Sequence, residues 1–267
     1  MELEMEGALV NAIVDLDAIA GNIGRLKALV PDSTAMMAVV KADAYGHGAV
    51  PVAKKALQSG ASWLGVARCH EAVALRHAGI TAPIMVLGYT DPADAVRVMD
   101  YDLTLAVFDM RAAELFSGAF SKAEKKQPIH LKVDTGMGRV GTIVPVQGDN
   151  ASRNRMVNEI KTIATLPGIR LEGVFTHFAA ADHADPSYTI AQINRFDFLM
   201  EGLDQSGIHI PIRHAANSAG IIQFPQSHMD MVRAGISMYG FYPSREVDRS
   251  IVDLQPAMRL TSVISGI

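Results

Sequence analysis

What the sequence lacks narrows its class before any motif is read. One cysteine, Cys69, in 267 residues leaves no internal disulfide and suits a reducing compartment, so the cytoplasm is expected. Cys69 itself reads as a small residue at a strand-to-helix junction rather than a reactive thiol. No uncharged run reaches the length of about 18 residues that a membrane span needs. The stretch Met1 to Gly7 is acidic and lacks the basic region of a secretory leader. Heptad arrays and low-complexity tracts are missing too. A net charge of −4 gives no basic excess for nucleic acid or an anionic membrane surface, and neither partner is expected.

What is present is an ordinary globular composition, 49% hydrophobic and 19% charged. Val10 to Leu16 alternates like a strand. A helix follows from about Asp17 to Leu29, with Asp17 as its expected N-cap and Pro31 beyond its end. From there apolar runs recur at Ala35–Val40, Trp63–Ala67, Ile84–Leu87, Leu103–Val107, Ile129–Val133, Leu171–Phe175, Ile212–Ala215 and Met231–Ala234. Helical segments separate most of them: Ala49–Ser59, His70–Ala78, Pro92–Met99, Met110–Ala119, Arg153–Leu166, Ser187–Gly207 and a short one near Ser218–Phe224. Short continuous apolar strands alternating with helices predict a parallel sheet covered on its faces. Eight such units predict a closed (β/α)8 barrel of the TIM type. An open doubly wound sheet should carry a phosphate fingerprint at its first βα turn, and Lys41–Gly48 holds neither G-x-G-x-x-G nor a P-loop.

A barrel gathers its chemistry on the loops after its strands. Lys41 and Tyr45 follow the first strand and Arg68 the second. The fifth leads to Asp134, Gly136, Gly138 and Arg139, and the sixth to His177. Asn217 and Ser218 follow the seventh, Arg233 and Gly235 the eighth. A lysine at the mouth of a buried strand must be paired or lose its proton, and a desolvated lysine can form a Schiff base. A serine, an asparagine and glycines after the last two strands suit a phosphate. Together these point to pyridoxal phosphate (PLP), with a class I aldolase as the weaker alternative. Asp134, Thr135, Gly136, Gly138 and Gly141 can equally be read as loop-shaping residues, His47 as loop support, and Met36 and Met37 as core filler. No metal site is expected.

Several stretches resemble the alanine racemases, which are PLP enzymes of fold-type III. Val39-Val40-Lys41-Ala42-Asp43-Ala44-Tyr45-Gly46-His47-Gly48 resembles their cofactor-attachment signature. The likeness continues in His130–Gly141, in Phe175-Thr176-His177-Phe178, in His214-Ala215-Ala216-Asn217-Ser218 and in Val232–Gly240. It implies interconversion of L- and D-alanine, a D-alanine supply for peptidoglycan, and a homodimer. By the same resemblance Lys41 holds PLP and acts as one acid/base. Tyr45, Ser218, Gly235 and Ile236 hold the phosphate with Asn217 nearby, and Arg233 faces the ring nitrogen. His177 orients Arg233, and Arg139 binds near the substrate carboxylate. Lys132 matches a position carbamylated in some members; an unmodified lysine paired with an acidic neighbour is the alternative. A non-catalytic PLP-binding barrel, or a racemase of serine or another amino acid, are the alternative functions.

The family's second base is a tyrosine of a C-terminal β-domain, reaching in from the partner subunit. Its expected position falls beyond Ile267. Met258 to Ile267 reads as a strand begun and not finished. The chain is therefore expected to be a truncated form, with most of that domain missing and activity low or absent. Three parts are expected: residues 1–16 as a strand belonging with the β-domain, 17–245 as the barrel, and 246–267 as the start of the β-domain. Leu9–Leu16 and Leu260–Ile264 are expected to pair, since unpaired edges invite aggregation.

Overall fold

The computed structural model describes residues 9–264. Residues 1–8 and 265–267, the outer ends of the two expected flanking segments, lie outside the described residues. The chain opens with β1 (Val10–Val14), which runs straight into α1 (Leu16–Lys27). Asp15 caps that helix by accepting from the N–H groups of Asp17 and Ala18, both at 2.9 Å. The expected cap, Asp17, is therefore corrected to Asp15: the strand leaves no spacer, so the cap falls two residues early. Asp17 instead pairs with Lys55 at 2.6 Å. Ile19, Ile23 and Leu26 form the buried face of α1, each contributing about 1.5–3 kcal/mol by leaving water.

The barrel follows as β2 (Ala35–Val39), α2 (Ala49–Gln58), β3 (Trp63–Val66), α3 (Cys69–His77), β4 (Ile84–Val86), α4 (Ala95–Asp100), β5 (Thr104–Val107) and α5 (Met110–Lys122). It continues with β6 (Gln127–Asp134), β7 (Thr142–Ile143), α6 (Asn150–Thr165), β8 (Ile169–Phe175), α7 (Ser187–Gln205), β9 (Ile212–His214), α8 (Ser218–Gln223) and β10 (Met231–Ala234). All eight expected barrel strands are present. They pair in parallel in the order β10-β2-β3-β4-β5-β6-β8-β9. The ring closes between β9 and β10 without a regular ladder. Asp230 N–H donates to the Arg213 carbonyl at 3.1 Å, and Arg233 N–H to the Ala216 carbonyl at 3.0 Å. The helix expected from Pro92 begins as a 3-10 turn, Pro92–Asp94, before α4. The short strand β7 beside β6 had no signal in the sequence.

Alternation along β2 separates two cores. Met36 packs outward among the helices, while Met37 packs into the barrel lumen with Met85, Phe175 and Met231. Both are core residues, as expected. Outside the barrel, β1 pairs antiparallel with β11 (Met258–Ser262), from Val10 opposite Ser262 to Val14 opposite Met258. The two flanking segments thus pair, the second strand beginning two residues before the expected Leu260. Among the described residues no helix is long and apolar enough to cross a membrane.

Candidate active site

The strand β2 ends at Val39, and the chain then enters an uncommon backbone conformation. Ala42, Asp43, Ala44 and Tyr45 all have φ between 51° and 56°, so Ala42–Tyr45 is one helical turn of left-handed sense. For residues with a side chain this costs roughly 1–2 kcal/mol each. Local bonds hold the turn. Ala42 N–H donates to Glu71 at 2.7 Å and Ala49 N–H to Asp43 at 2.6 Å. His47 Nδ1 faces the carbonyls of Ala44 and Tyr45 at 3.0 and 3.2 Å, so Nδ1 carries the proton. His47 is loop support, as read from the sequence. The turn lifts Lys41 onto the rim and swings Tyr45 back over Tyr239, ring centroids 4.9 Å apart.

The rim encloses a cavity of about 1030 Å³. Lys41, Tyr45, Lys132, Arg139, His177, Asn217, Ser218, Arg233, Gly235 and Ile236 all line it. The ten residues that the resemblance assigns to the site thus line one mouth. Arg68 is not among the lining groups; its guanidinium donates to the Tyr89 carbonyl at 3.2 Å. Asp134 spends its carboxylate on the N–H groups of Gly136, Met137 and Gly138 at 2.8, 2.7 and 2.8 Å. Burial works against that carboxyl's ionisation, but the three donors outweigh it and hold its pKa below the usual range. Asp134 is a loop-shaping residue.

The desolvation expected at Lys41 falls elsewhere. Lys41 is exposed, with its ammonium 5.8 Å from the Tyr45 ring. Lys132, inside the lumen on β6, is the buried lysine. Burial, and then the charge of Arg233, bring its pKa down to about 8. Its Nζ donates to the Val140 carbonyl at 3.2 Å. No carboxylate forms an ion pair with it among the described residues, and the charge of Asp134 acts on it only from a longer range.

Arg233, on β10, is buried on all sides. Its guanidinium donates to His214 Nδ1, to the Thr176 carbonyl and to the Ala215 carbonyl, each at 2.8 Å, and to His177 Nδ1 at 3.3 Å. Burial alone lowers its pKa to about 9, so it remains a cation at neutral pH. His214 is therefore the tighter partner, and His177 the looser one. The sequence offered His214 at the head of a motif block but no reason to give it a role. A buried histidine on a lumen face has no spacing pattern of its own. Burial and then Arg233 hold the His177 pKa well below the usual range.

Opposite these groups sits a small polar cradle. Ser218 Oγ accepts from Gly235 N–H at 3.0 Å and from Ser237 N–H at 3.3 Å. A Cβ on Gly235 would stand 3.3 Å from Tyr45 Oη and 3.7 Å from Ser218 Oγ, so only glycine leaves this space open. Asn217 caps α8 through Gly220 N–H at 3.0 Å.

Comparison with known proteins gives one consistent result. The family model described as the alanine racemase N-terminal domain matches residues 14–243. The alanine racemase of Desulfosudis oleivorans is 48% identical over 256 residues, covering 96% of this chain and 66% of that protein. That of Methanococcus maripaludis is 43% identical, with 96% and 66% covered. Among solved structures, the alanine racemase of Clostridium difficile 630 superposes with a TM-score of 0.90 at 37% identity, covering 96% of this chain and 65% of that one. The Bacillus anthracis enzyme with bound L-Ala-P gives 0.85 at 38%, with 94% and 63% covered. The chain spans about two thirds of the length of the relatives it matches.

Proposed function

Since this chain belongs to the alanine racemase family through that family's N-terminal domain, we propose that it is the cofactor-binding barrel of a PLP-dependent racemase interconverting L- and D-alanine. The observation that carries this is the pairing, in one cavity, of a rim lysine with the Tyr45–Ser218–Gly235 cradle and a buried arginine. The residues fit PLP. Ser218 already accepts two N–H groups, so its one hydroxyl proton is left to donate to an anion. Gly235 keeps the space before it empty, and Lys41, Lys132, Arg139 and Arg233 make the cavity cationic. Bound there, PLP supplies an electron sink that makes the α-proton of alanine acidic.

The chain's own groups do the rest. Lys41 would hold the cofactor and, once released from it, take or return the α-proton at Nζ on one face. Tyr45, Ser218, Gly235 and Ile236 would hold the phosphate, with Asn217 fixing α8 beside them. Arg233 has protons only to give, so it would donate to the ring nitrogen and leave it unprotonated. His177 and His214 keep the guanidinium in place. Arg139 would take the substrate carboxylate in its planar fork. Lys132 would add CO2 to form a carbamate that braces Arg139. The opposite acid/base and the homodimer are assigned to the whole racemase. So is the placement of residues 1–16 and 246–267 with its β-domain. A carrier barrel or a serine racemase is not favoured, since the relatives are named alanine racemases.

The test needs only one base. In heavy water with PLP, this chain should exchange the α-proton of alanine, and Lys41→Ala should lose that exchange by about 10²–10⁴-fold. Absence of exchange, or exchange unchanged in Lys41→Ala, contradicts the assignment.

A further inference from the structure

Arg233 is a buried cation with no carboxylate in contact among the described residues. Isolated buried charge is costly, and the hydrogen bonds leading away from Arg233 end at a histidine that faces a carboxylate. Because a guanidinium only donates, His214 Nδ1 must accept, and the proton of that ring sits on Nε2. His214 Nε2 lies 2.8 Å from His130 Nδ1, which must accept in turn. His130 then carries its proton on Nε2, 3.4 Å from Glu172 Oε2. These last two atoms are both buried and form no hydrogen bond among the described residues, so the line from Arg233 reaches the carboxylate through a longer N–H···O contact. The other oxygen of Glu172 accepts from Arg170 at 2.6 Å. Both imidazoles are fully buried, with His214 stacked on Phe175 at 4.8 Å and His130 beside Trp63 at 5.6 Å.

The backbone is built around this line. Between β6 and β8 the register runs from Ile129 opposite Leu171 directly to His130 opposite Gly173. Glu172 is the extra, bulged residue, and a bulge re-aims a side chain that strict alternation would turn away. Gly173 makes the room. A Cβ there would stand 2.7 Å from His130 Nδ1 and 2.8 Å from its Cε1. Burial holds both histidines below their usual pKa, and His130 and Arg170 keep Glu172 ionised against its own burial.

We propose that Glu172, His130 and His214 form a one-directional polar relay, two hydrogen bonds ending in a 3.4 Å contact with the carboxylate, that locks the rotation of the Arg233 guanidinium. All three are positioning residues, acting on the cofactor only through Arg233. The inference rests on the proposed role of Arg233 as the donor to the cofactor's ring nitrogen, but its geometry is present without cofactor.

The test therefore begins without PLP. Nitrogen NMR of the histidine rings should show His130 and His214 neutral and protonated on Nε2. The Arg233 Nη groups should give separate, slowly rotating signals. Glu172→Ala and His214→Leu should speed that rotation at least about fivefold, the worth of one hydrogen bond of about 1 kcal/mol. Glu172→Gln and His214→Gln retain the acceptors the relay needs and should restore the slow rotation. Should His214→Leu not fold, the two Glu172 variants at the outer end decide alone. An Nδ1–H tautomer in either ring, or rotation unchanged in Glu172→Ala, overturns the relay. With PLP added, the bound cofactor's absorbance should shift in Glu172→Ala and return in Glu172→Gln. Failure of the unaltered protein to bind PLP would sink the functional reading while the cofactor-free signals still judge the relay.

Discussion

Two lysines share the cavity, and their environments are opposite to what strand position alone suggests. Lys41 follows a fully apolar run yet stands exposed on the rim, because the left-handed turn carries it out of the lumen. Lys132 lies within a strand whose eight residues are all buried, and it has lost much of its hold on a proton. Only a neutral amine adds CO2, and the neutral fraction of Lys132 rises as pH passes about 8. In carbon-13 bicarbonate a carbamate signal should therefore strengthen between about pH 7 and about pH 9, and Lys132→Met should lack it. A signal that persists in Lys132→Met, or none in the native chain, contradicts that assignment. This contrast was not legible in the sequence, where both lysines sit at apolar strands. His214 escaped for a related reason, since its role depends on which lumen atoms it meets.

At the scale of elements, strands were legible and special backbone was not. Continuous apolar runs such as Leu103–Val107 mark buried parallel strands because both faces of the sheet are covered. No such rule announces the left-handed turn, since Ala42-Asp43-Ala44-Tyr45 contains no glycine, the residue that normally marks positive φ. Strand β7 and the bulge at Glu172 were equally silent, being set by partners distant in sequence. The turn yields a sign test. Ala42 is exposed with φ 52°, so Ala42→Gly should stabilise the protein by about 1 kcal/mol. That is an increase of about 2 °C in the thermal midpoint for a chain of this size. In an ordinary right-handed turn the same change would destabilise by about 1 kcal/mol. A fall in the midpoint would contradict the left-handed geometry.

At the scale of the molecule, closure matters more than any one loop. Groups spread from Lys41 to Ile236 converge only because β10 pairs with β2, bringing the last strand beside the first. Eight apolar runs made that closure legible, and the rim residues followed from it. The β1–β11 sheet is separate in kind: Val10, Ile13 and Leu260 are exposed apolar residues on it, and it contributes nothing to the cavity. Its pairing was expected from the family resemblance together with the argument from unpaired edges.

The competition between the two lysines offers the sharpest test of the whole assignment. Lys132 gives up its proton at lower pH than an ordinary lysine, so reactivity alone would favour it; the cradle of Tyr45, Ser218 and Gly235 favours Lys41. Incubating the protein with PLP, reducing with borohydride and mapping the labelled peptide separates them. Label on Lys41, with Lys132 unmodified, is the expected result. Label on Lys132, or no label within the cavity, would contradict it.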